Sequence, residues 1–184
     1  MEDYLPLPDD SDFDISVAIS EIASYIMRER FNMSDVVILG IPKRGVPLAH
    51  RLAKELYALD PSFDPSASTG QLDITMYRDD LDRQPTRALG VTKVPSIDNK
   101  VVILVDDVLA SGRTIRAALD ALSDLGRPAI VRLAVIVNRQ NLRQLPIFPE
   151  YQGFGMHAGP ELHIRVHLVE TDGEDAIICE EIAR

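Results

Sequence analysis

Asp106 and Asp107 are the residues of this chain best suited to carry chemistry. They follow the apolar run Val101-Val102-Ile103-Leu104-Val105 and precede Val108-Leu109-Ala110-Ser111-Gly112-Arg113-Thr114, after which a helical pattern begins. Such a run reads as a strand buried on both faces of a parallel sheet. In open α/β sheets ligands bind beyond the carboxyl ends of strands, which is where the paired acids fall. A loop of small residues opening a helix exposes backbone N–H groups. With the hydroxyls of Ser111 and Thr114 and the helix dipole, these make an anion site. Carboxylates accept hydrogen bonds from sugar hydroxyls or hold a divalent cation, so the combination suits a sugar phosphate. Asp-Asp alone would read as a helix cap that satisfies turn amides. The Ser-Gly-x-Thr continuation favours a ligand.

A second anion site is expected at Gly40-Ile41-Pro42-Lys43-Arg44-Gly45, a turn with two cations and flanking glycines. Taken alone it reads as an ordinary basic turn, although its two charges and backbone amides could together meet a pyrophosphate. His157 and His163 lack metal-ligand spacing and read as surface or structural. His50 falls on a helix and reads as structural, and Cys179 reads as core.

These groups need elements to hold them. Ile15, Ile19, Ile22 and Ile26 follow helical spacing, predicting a helix from Phe13 to Arg30 with Ser11 as cap and Asp14 three residues later. Val36 to Leu39 predicts a buried strand, and Leu48, Leu52, Leu56 and Leu59 a helix. Residues 60–70 read as a loop, Leu72 to Tyr77 as a strand, and Arg78 to Pro95 as a long mobile loop. A strand over Val101 to Val105, a helix over Thr114 to Leu125 ended by Gly126, and a strand over Ile130 to Val137 follow. Arg139 to Pro160 reads as irregular. Leu162 to Leu168 and Ala176 to Cys179 read as late strands, a hairpin across Thr171-Asp172-Gly173. Alternating strands and helices predict an open α/β sheet in one domain, residues 11–184, behind a flexible acidic tail over 1–10.

The 184 residues are 46% hydrophobic and 26% charged, as in ordinary soluble proteins. No apolar run reaches the ~20 residues of a membrane helix, and the acidic N-terminus is no secretory signal. One cysteine forms no intrachain disulfide, so a reducing, cytoplasmic setting is expected. The net charge of −10 argues against a generally basic nucleic-acid surface. Twelve acids fall in residues 1–14 and 170–181, leaving the middle closer to neutral.

Val102 to Thr114 resembles, at every position, the 13-residue phosphoribosyl-pyrophosphate (PRPP) signature of type I phosphoribosyltransferases. Asp73-Ile74-Thr75-Met76-Tyr77-Arg78-Asp79-Asp80-Leu81 narrows the resemblance to the PyrR family of bifunctional pyrimidine operon regulators and uracil phosphoribosyltransferases. Ala117 to Leu122, Gly126-Arg127-Pro128, and Leu145-Pro146-Ile147 with Tyr151 extend it over about residues 15–180. The resemblance implies the type I phosphoribosyltransferase fold, a mainly parallel open sheet flanked by helices with a small hood of late strands, at about 138–168. It implies the reaction of uracil with PRPP to give UMP and pyrophosphate. Asp106 and Asp107 would bind the ribose hydroxyls, and Val108, Leu109, Ala110, Ser111, Gly112, Arg113 and Thr114 the rest of PRPP. Lys43, Arg44 and Gly45 would meet pyrophosphate, with Asp106, Asp107 and Arg44 catalytic. Tyr77, Arg78 and Arg87 would belong to a lid that excludes water from an oxocarbenium-like transition state. Val137, Asn138, Arg139 and Ile164 would surround the base. Mg²⁺ would arrive on the substrate, with no direct protein ligand expected unless Asp106 or Asp107 serves.

The match departs from the family around the base. Asn138-Arg139-Gln140-Asn141-Leu142-Arg143-Gln144-Leu145-Pro146 stands where relatives have Asp-Arg-Gly-His-Arg-Glu-Leu-Pro, and Gly153 to Ala158 replaces Gly-Lys-Asn-Ile-Pro-Thr. Ala110 replaces a tyrosine, and stands where purine enzymes of the superfamily carry an aspartate for the N7 proton, which points to a pyrimidine. Relatives also bind pyrimidine-operon leader RNA, sense UMP or UTP, and form dimers or higher oligomers. Glu21 stands where they carry arginine, which would repel a phosphate, although Lys54, Arg83, Arg127 and Arg132 could share a face. Three readings follow: a uracil phosphoribosyltransferase, an RNA-binding nucleotide sensor with little catalysis, or a phosphoribosyltransferase with altered base choice.

Overall fold

A computed structural model describes residues 13–78 and 94–181. The first helix, α1 (Ile15–Arg28), buries Ile15, Ala18, Ile19, Ile22, Ala23 and Ile26 along one stripe. It is shorter at both ends than its apolar pattern predicts. Its cap is Asp14, whose carboxylate accepts from the Ser16 and Val17 N–H groups at 2.8 and 3.1 Å. Ser11 lies outside the described residues. At the other end Arg30 takes a positive φ and leaves the helix.

Strand β1 (Val36–Gly40) is buried throughout and leads through the basic turn into α2 (Gly45–Leu59). Residues 60–70, expected as a loop, hold the short α3 (Pro65–Ser68), capped by Asp64, and the start of β2 (Thr69–Gln71). The strand expected at Leu72 to Tyr77 therefore lies three residues earlier. Leu72 and Ile74 are buried, which explains the alternation, but the backbone has left the sheet and turns as a 3₁₀ helix over Thr75–Tyr77.

Strand β3 (Val101–Leu109) runs four residues beyond Val105, and α4 (Arg113–Leu125) follows, ended at Gly126. Strand β4 (Ile130–Arg139) is also longer than expected. Within the stretch expected to be irregular lies β5 (Tyr151–Met156). Its glycines hid it. A Cβ at Gly153 would sit 2.8 Å from the Ala18 Cβ of α1 and 2.9 Å from the Ile136 carbonyl, so the glycine lets the helix lie on the strand. Phe13 caps the same contact edge-on to Phe154, centroids 4.8 Å apart.

The five strands form one parallel sheet in the order β2-β1-β3-β4-β5. The predicted hairpin is present as the antiparallel pair β6 (Leu162–His167) and β7 (Ala176–Glu181), joined through the short α5 (Val169–Asp172) and Gly173 at φ +87°. Two apolar layers cover the sheet. One gathers α1, α2 and the inner residues of the hairpin, including Ile164, Val166, Leu168 and Ile177. The other gathers α4 with Leu72, Ile74 and Ile97. The late hairpin thus shares a core with the main body.

One close approach sets the position of the basic turn. A Cβ at Gly45 would lie 2.4 Å from the Val105 carbonyl oxygen, and one at Gly40 would lie 2.4 Å from the Gly45 carbonyl oxygen. Gly45→Ala should destabilise the protein by about 1–3 kcal/mol in urea denaturation, the range for overpacking a closed site. An unchanged midpoint would show that this contact does not set the turn.

Candidate functional site

The site forms where β1 stops and β3 does not. The Ile41 N–H makes the last bond across this edge, to the Val105 carbonyl at 2.9 Å. Beyond it β3 pairs only with β4, placing Asp106 beside Val135 and Leu109 beside Asn138. The acids were expected just past the strand; they lie inside it, on the stretch that β1 leaves uncovered. Asp106 is buried, at 7% exposure, and Asp107 half-buried. The Asp107 N–H donates to Asp106 Oδ1 at 2.9 Å and the Val108 N–H to Asp107 Oδ1 at 2.8 Å. Burial pushes the Asp106 carboxyl well above the usual carboxylate range, and the neighbouring Asp107 adds to this.

After Leu109 the chain makes a short loop, and Gly112 opens α4 at φ +93° with no side-chain cap. The helix therefore begins with N–H groups that no side chain of its own cap occupies. Ser111 Oγ accepts from the Arg113 N–H at 3.3 Å, and Thr114 is half-buried on the first turn. A neighbouring segment grips this loop from behind. The Gln144 and Leu145 N–H groups donate to the Ser111 carbonyl at 3.0 and 3.2 Å. Arg143 donates to the Ala110 carbonyl and, at 2.5 Å, to Asn138 Oδ1. Asn138 Nδ2 donates to Gln152 Oε1 at 2.7 Å.

The basic turn stands beside the acids, with Lys43 exposed, Gly45 buried and a cis Pro42–Lys43 peptide. Arg44 is not turned to open space: its guanidinium pairs with both oxygens of Asp172 on α5, at 2.7 and 3.0 Å. That guanidinium, with the Thr171 hydroxyl and Leu168 N–H, holds the Asp172 carboxyl far below its usual range. Arg51 of α2 reaches Glu170 and Asp175 in the same way. Among the residues expected at the base, Val137 and Ile164 are buried in the α1–α2 core. Asn138 and Arg139 are buried polar groups, and Arg139 donates to the Gly159 carbonyl at 2.8 Å. Of the residues expected in a lid, Tyr77 donates to Asp124 at 2.7 Å, and the charge of Arg78 favours ionised Asp106. Arg87 lies outside the described residues.

Asp172, Arg143, Gln144 and Gln152 were not anticipated as site residues. Asp172 sits 128 positions from its partner, and nothing in the local sequence signals the pairing. His50, His157 and His163 are exposed, and Cys179 packs against the core. Of the basic residues considered for RNA, Arg132 is drawn to Glu29 and Glu150 at 3.5 and 3.8 Å, while Lys54 and Arg127 are exposed and Arg83 lies outside the described residues.

A carboxyl whose folded pKa is raised stabilises the fold only while protonated, and that contribution is lost as pH rises through the raised value. Asp106→Asn keeps an acceptor for the Asp107 N–H without a charge. In magnesium-free buffer near neutral pH it should raise the thermal midpoint by about 2–4 °C, the shift that ~1 kcal/mol produces at this size. The gain should vanish as pH falls toward the ordinary carboxylate range. A lowered midpoint at neutral pH would contradict the assigned burial of charge.

The phosphoribosyl transferase domain family matches residues 14–171. Among curated proteins, the chain is 49% identical to the bifunctional protein PyrR of Leifsonia xyli subsp. xyli, covering 91% of this chain and 93% of that one. It is 41% identical to the PyrR of Gloeothece citriformis, covering 89% and 91%. Among solved structures it is similar to a hypoxanthine-guanine phosphoribosyltransferase of Bacillus anthracis, with a TM-score of 0.65 and 18% identity over 96% of each chain. It is also similar to the hypoxanthine phosphoribosyltransferase of Trypanosoma cruzi, with a TM-score of 0.67 and 16% identity over 90% of each. Those structural likenesses speak to the fold. Together with the paired acids running into the gripped loop, the sequence matches establish that the chain belongs to the PyrR family of proteins built on the phosphoribosyl transferase domain.

Proposed function

We propose that this protein transfers the phosphoribosyl group of PRPP to uracil, releasing pyrophosphate and UMP. The observation that carries the reading is the continuity of β3 with its loop: two carboxyls, one buried and one half-buried, lead directly into an uncapped helix start at Gly112. N1 of uracil would bond to C1′ as the bond from C1′ to the pyrophosphate oxygen breaks, with release of the N1 proton. Asp107, the more accessible acid, would hold the ribose hydroxyls, and Asp106 would set its position through the Asp107 N–H. The N–H groups of Ala110 to Thr114 would hold the 5′-phosphate. Lys43 and the Gly45 backbone would face pyrophosphate. Arg44 would join them by exchanging Asp172 for the leaving group. Tyr77, Arg78 and Arg87 would close over the site, and Val137, Asn138, Arg139 and Ile164 would frame the base. Ala110 offers no group for a purine N7 proton.

Among the described residues no cluster of three or more His, Cys, Asp or Glu could hold a metal ion. Asp106 or Asp107 would stand beside any Mg²⁺ carried on the substrate oxygens, and such an ion would neutralise charge on the leaving pyrophosphate. No helix among the described residues is long and apolar enough to cross a membrane. A cytoplasmic setting and assembly as a dimer or higher oligomer are proposed from the PyrR membership alone.

The direct test is incubation with PRPP, Mg²⁺ and a panel of bases, reading UMP formation. UMP from uracil alone supports the reading. Transfer to a different base would favour altered base choice, for which the neutral Asn138 amide, held between Arg143 and Gln152, is the structural motive. Asp107→Asn should lower kcat/KM about 10- to 100-fold, the worth of a charge-assisted hydrogen bond. Equal activity would remove Asp107 from the site.

We further propose that the protein senses UMP or UTP and binds pyrimidine-operon leader RNA in transcription attenuation, as its PyrR membership suggests. Glu21 is exposed on α1 and Arg132 is already paired, so binding should be weak. In a gel-shift titration with leader RNA, Glu21→Arg should tighten binding several-fold, with a steeper salt dependence. No binding by either protein at micromolar concentration would sink the regulatory role.

A further inference from the structure

The reading of Ala110 to Thr114 as a phosphate cradle leaves open what turns its N–H groups outward. In a trans peptide the carbonyl and the following N–H point in opposite directions. The peptides after Ala110 and Ser111 are trans. The Ala110 carbonyl is taken by Arg143, and the Ser111 carbonyl by the Gln144 and Leu145 N–H groups. The Ser111 and Gly112 N–H groups therefore face away from residues 143–145, toward the side that α4 opens on. Arg113 Nε adds a bond to Gln144 Oε1 at 3.1 Å, and Gly112 lies against Leu145 and Ile147.

Arg143 is the side chain of this grip that reaches furthest. An arginine only donates, so its partners must present oxygens. It spans the Ala110 carbonyl and Asn138 Oδ1, and the face of the exposed Phe148 ring lies 5.7 Å from its guanidinium carbon. Burial disfavours its charge, so both acceptors are held by a cation that has given up part of its own hydration. The bond to Asn138 fixes that amide with its oxygen toward Arg143 and its nitrogen toward Gln152.

We propose that Arg143 is a positioning residue: by holding the Ala110 carbonyl it keeps the Ser111 N–H aimed at the ligand phosphate, and through Asn138 it ties that cradle to the strand that frames the base. This rests on the proposed phosphoribosyl site. Without Arg143 the Ala110 carbonyl loses its partner, the Ala110–Ser111 peptide is held only through its neighbour, and the phosphate loses an oriented donor.

The readout is the ratio of UMP to uridine affinity, by calorimetry, because the two ligands differ only in the phosphate. General loosening of the fold weakens both and leaves the ratio standing. Arg143→Met should lower that ratio about tenfold, the worth of one hydrogen bond to a charged group. Arg143→Gln should behave likewise, and serves if the methionine variant does not fold. Arg143→Lys keeps a donor for the carbonyl and should recover much of the ratio. If the unaltered protein binds UMP no better than uridine, the phosphate cradle itself is wrong and this proposal falls with it. If it prefers UMP and both neutral variants keep the full preference, the cradle stands and the role of Arg143 is overturned.

Discussion

The Val105 carbonyl is the point on which the site depends. It accepts the last hydrogen bond from the first strand, from the Ile41 N–H, and Gly45 packs directly on it. Only a glycine fits there, because any Cβ would enter the carbonyl oxygen. The same contact sends the basic turn sideways and leaves the next residues of β3 without a neighbour on that edge. Asp106 and Asp107 occupy the gap. A single backbone oxygen thus defines where the sheet stops, where the cationic turn begins and where the acids become reachable. The switch from paired to uncovered strand is the feature that makes crevices in open parallel sheets.

That arrangement carries an electrostatic cost. Asp106 is buried next to another acid, which favours its protonated form, and the fold gains nothing from its charge. The surrounding cations are distributed rather than aimed at it. Arg44 and Arg51 are tied to Asp172, Glu170 and Asp175, which fastens the late hairpin to α2. The acids near the chain end are therefore partly neutralised at home, and the net charge of −10 overstates the repulsion an anionic ligand would meet. These pairs are partly exposed and each adds little stability alone. Their effect is to set the resting place of Arg44.

Legibility in the sequence followed the physics of each element. Runs such as Val36–Gly40 and Val101–Val105 are apolar because both faces are buried, so they were readable from composition alone. β5 was not, because Gly153 serves the close passage of α1, a demand of tertiary structure that erases strand character locally. β2 was displaced by three residues because Leu72 and Ile74 pack after the strand has ended. In the site, the acids and their loop are contiguous and were legible as a unit. The bonds that complete it, Arg44 to Asp172 and Arg143 to Ala110, join segments far apart in the chain, and no local pattern encodes them.

The two halves of the site also differ in how they depend on side chains. The loop proposed to receive phosphate would work through main-chain N–H groups. It needs a glycine at Gly112 for its positive φ, small residues beside it, and something to hold its carbonyls. Many sequences satisfy those conditions. The residues around Asn138 would instead read a base through side-chain donors and acceptors, and there one exchange alters the pattern offered. A chain can therefore keep a phosphoribosyl cradle while the residues around its base change. Arg143 stands at the junction, bound to the Ala110 backbone and to the Asn138 side chain, so an exchange at Asn138 would also alter what holds Arg143 against the loop.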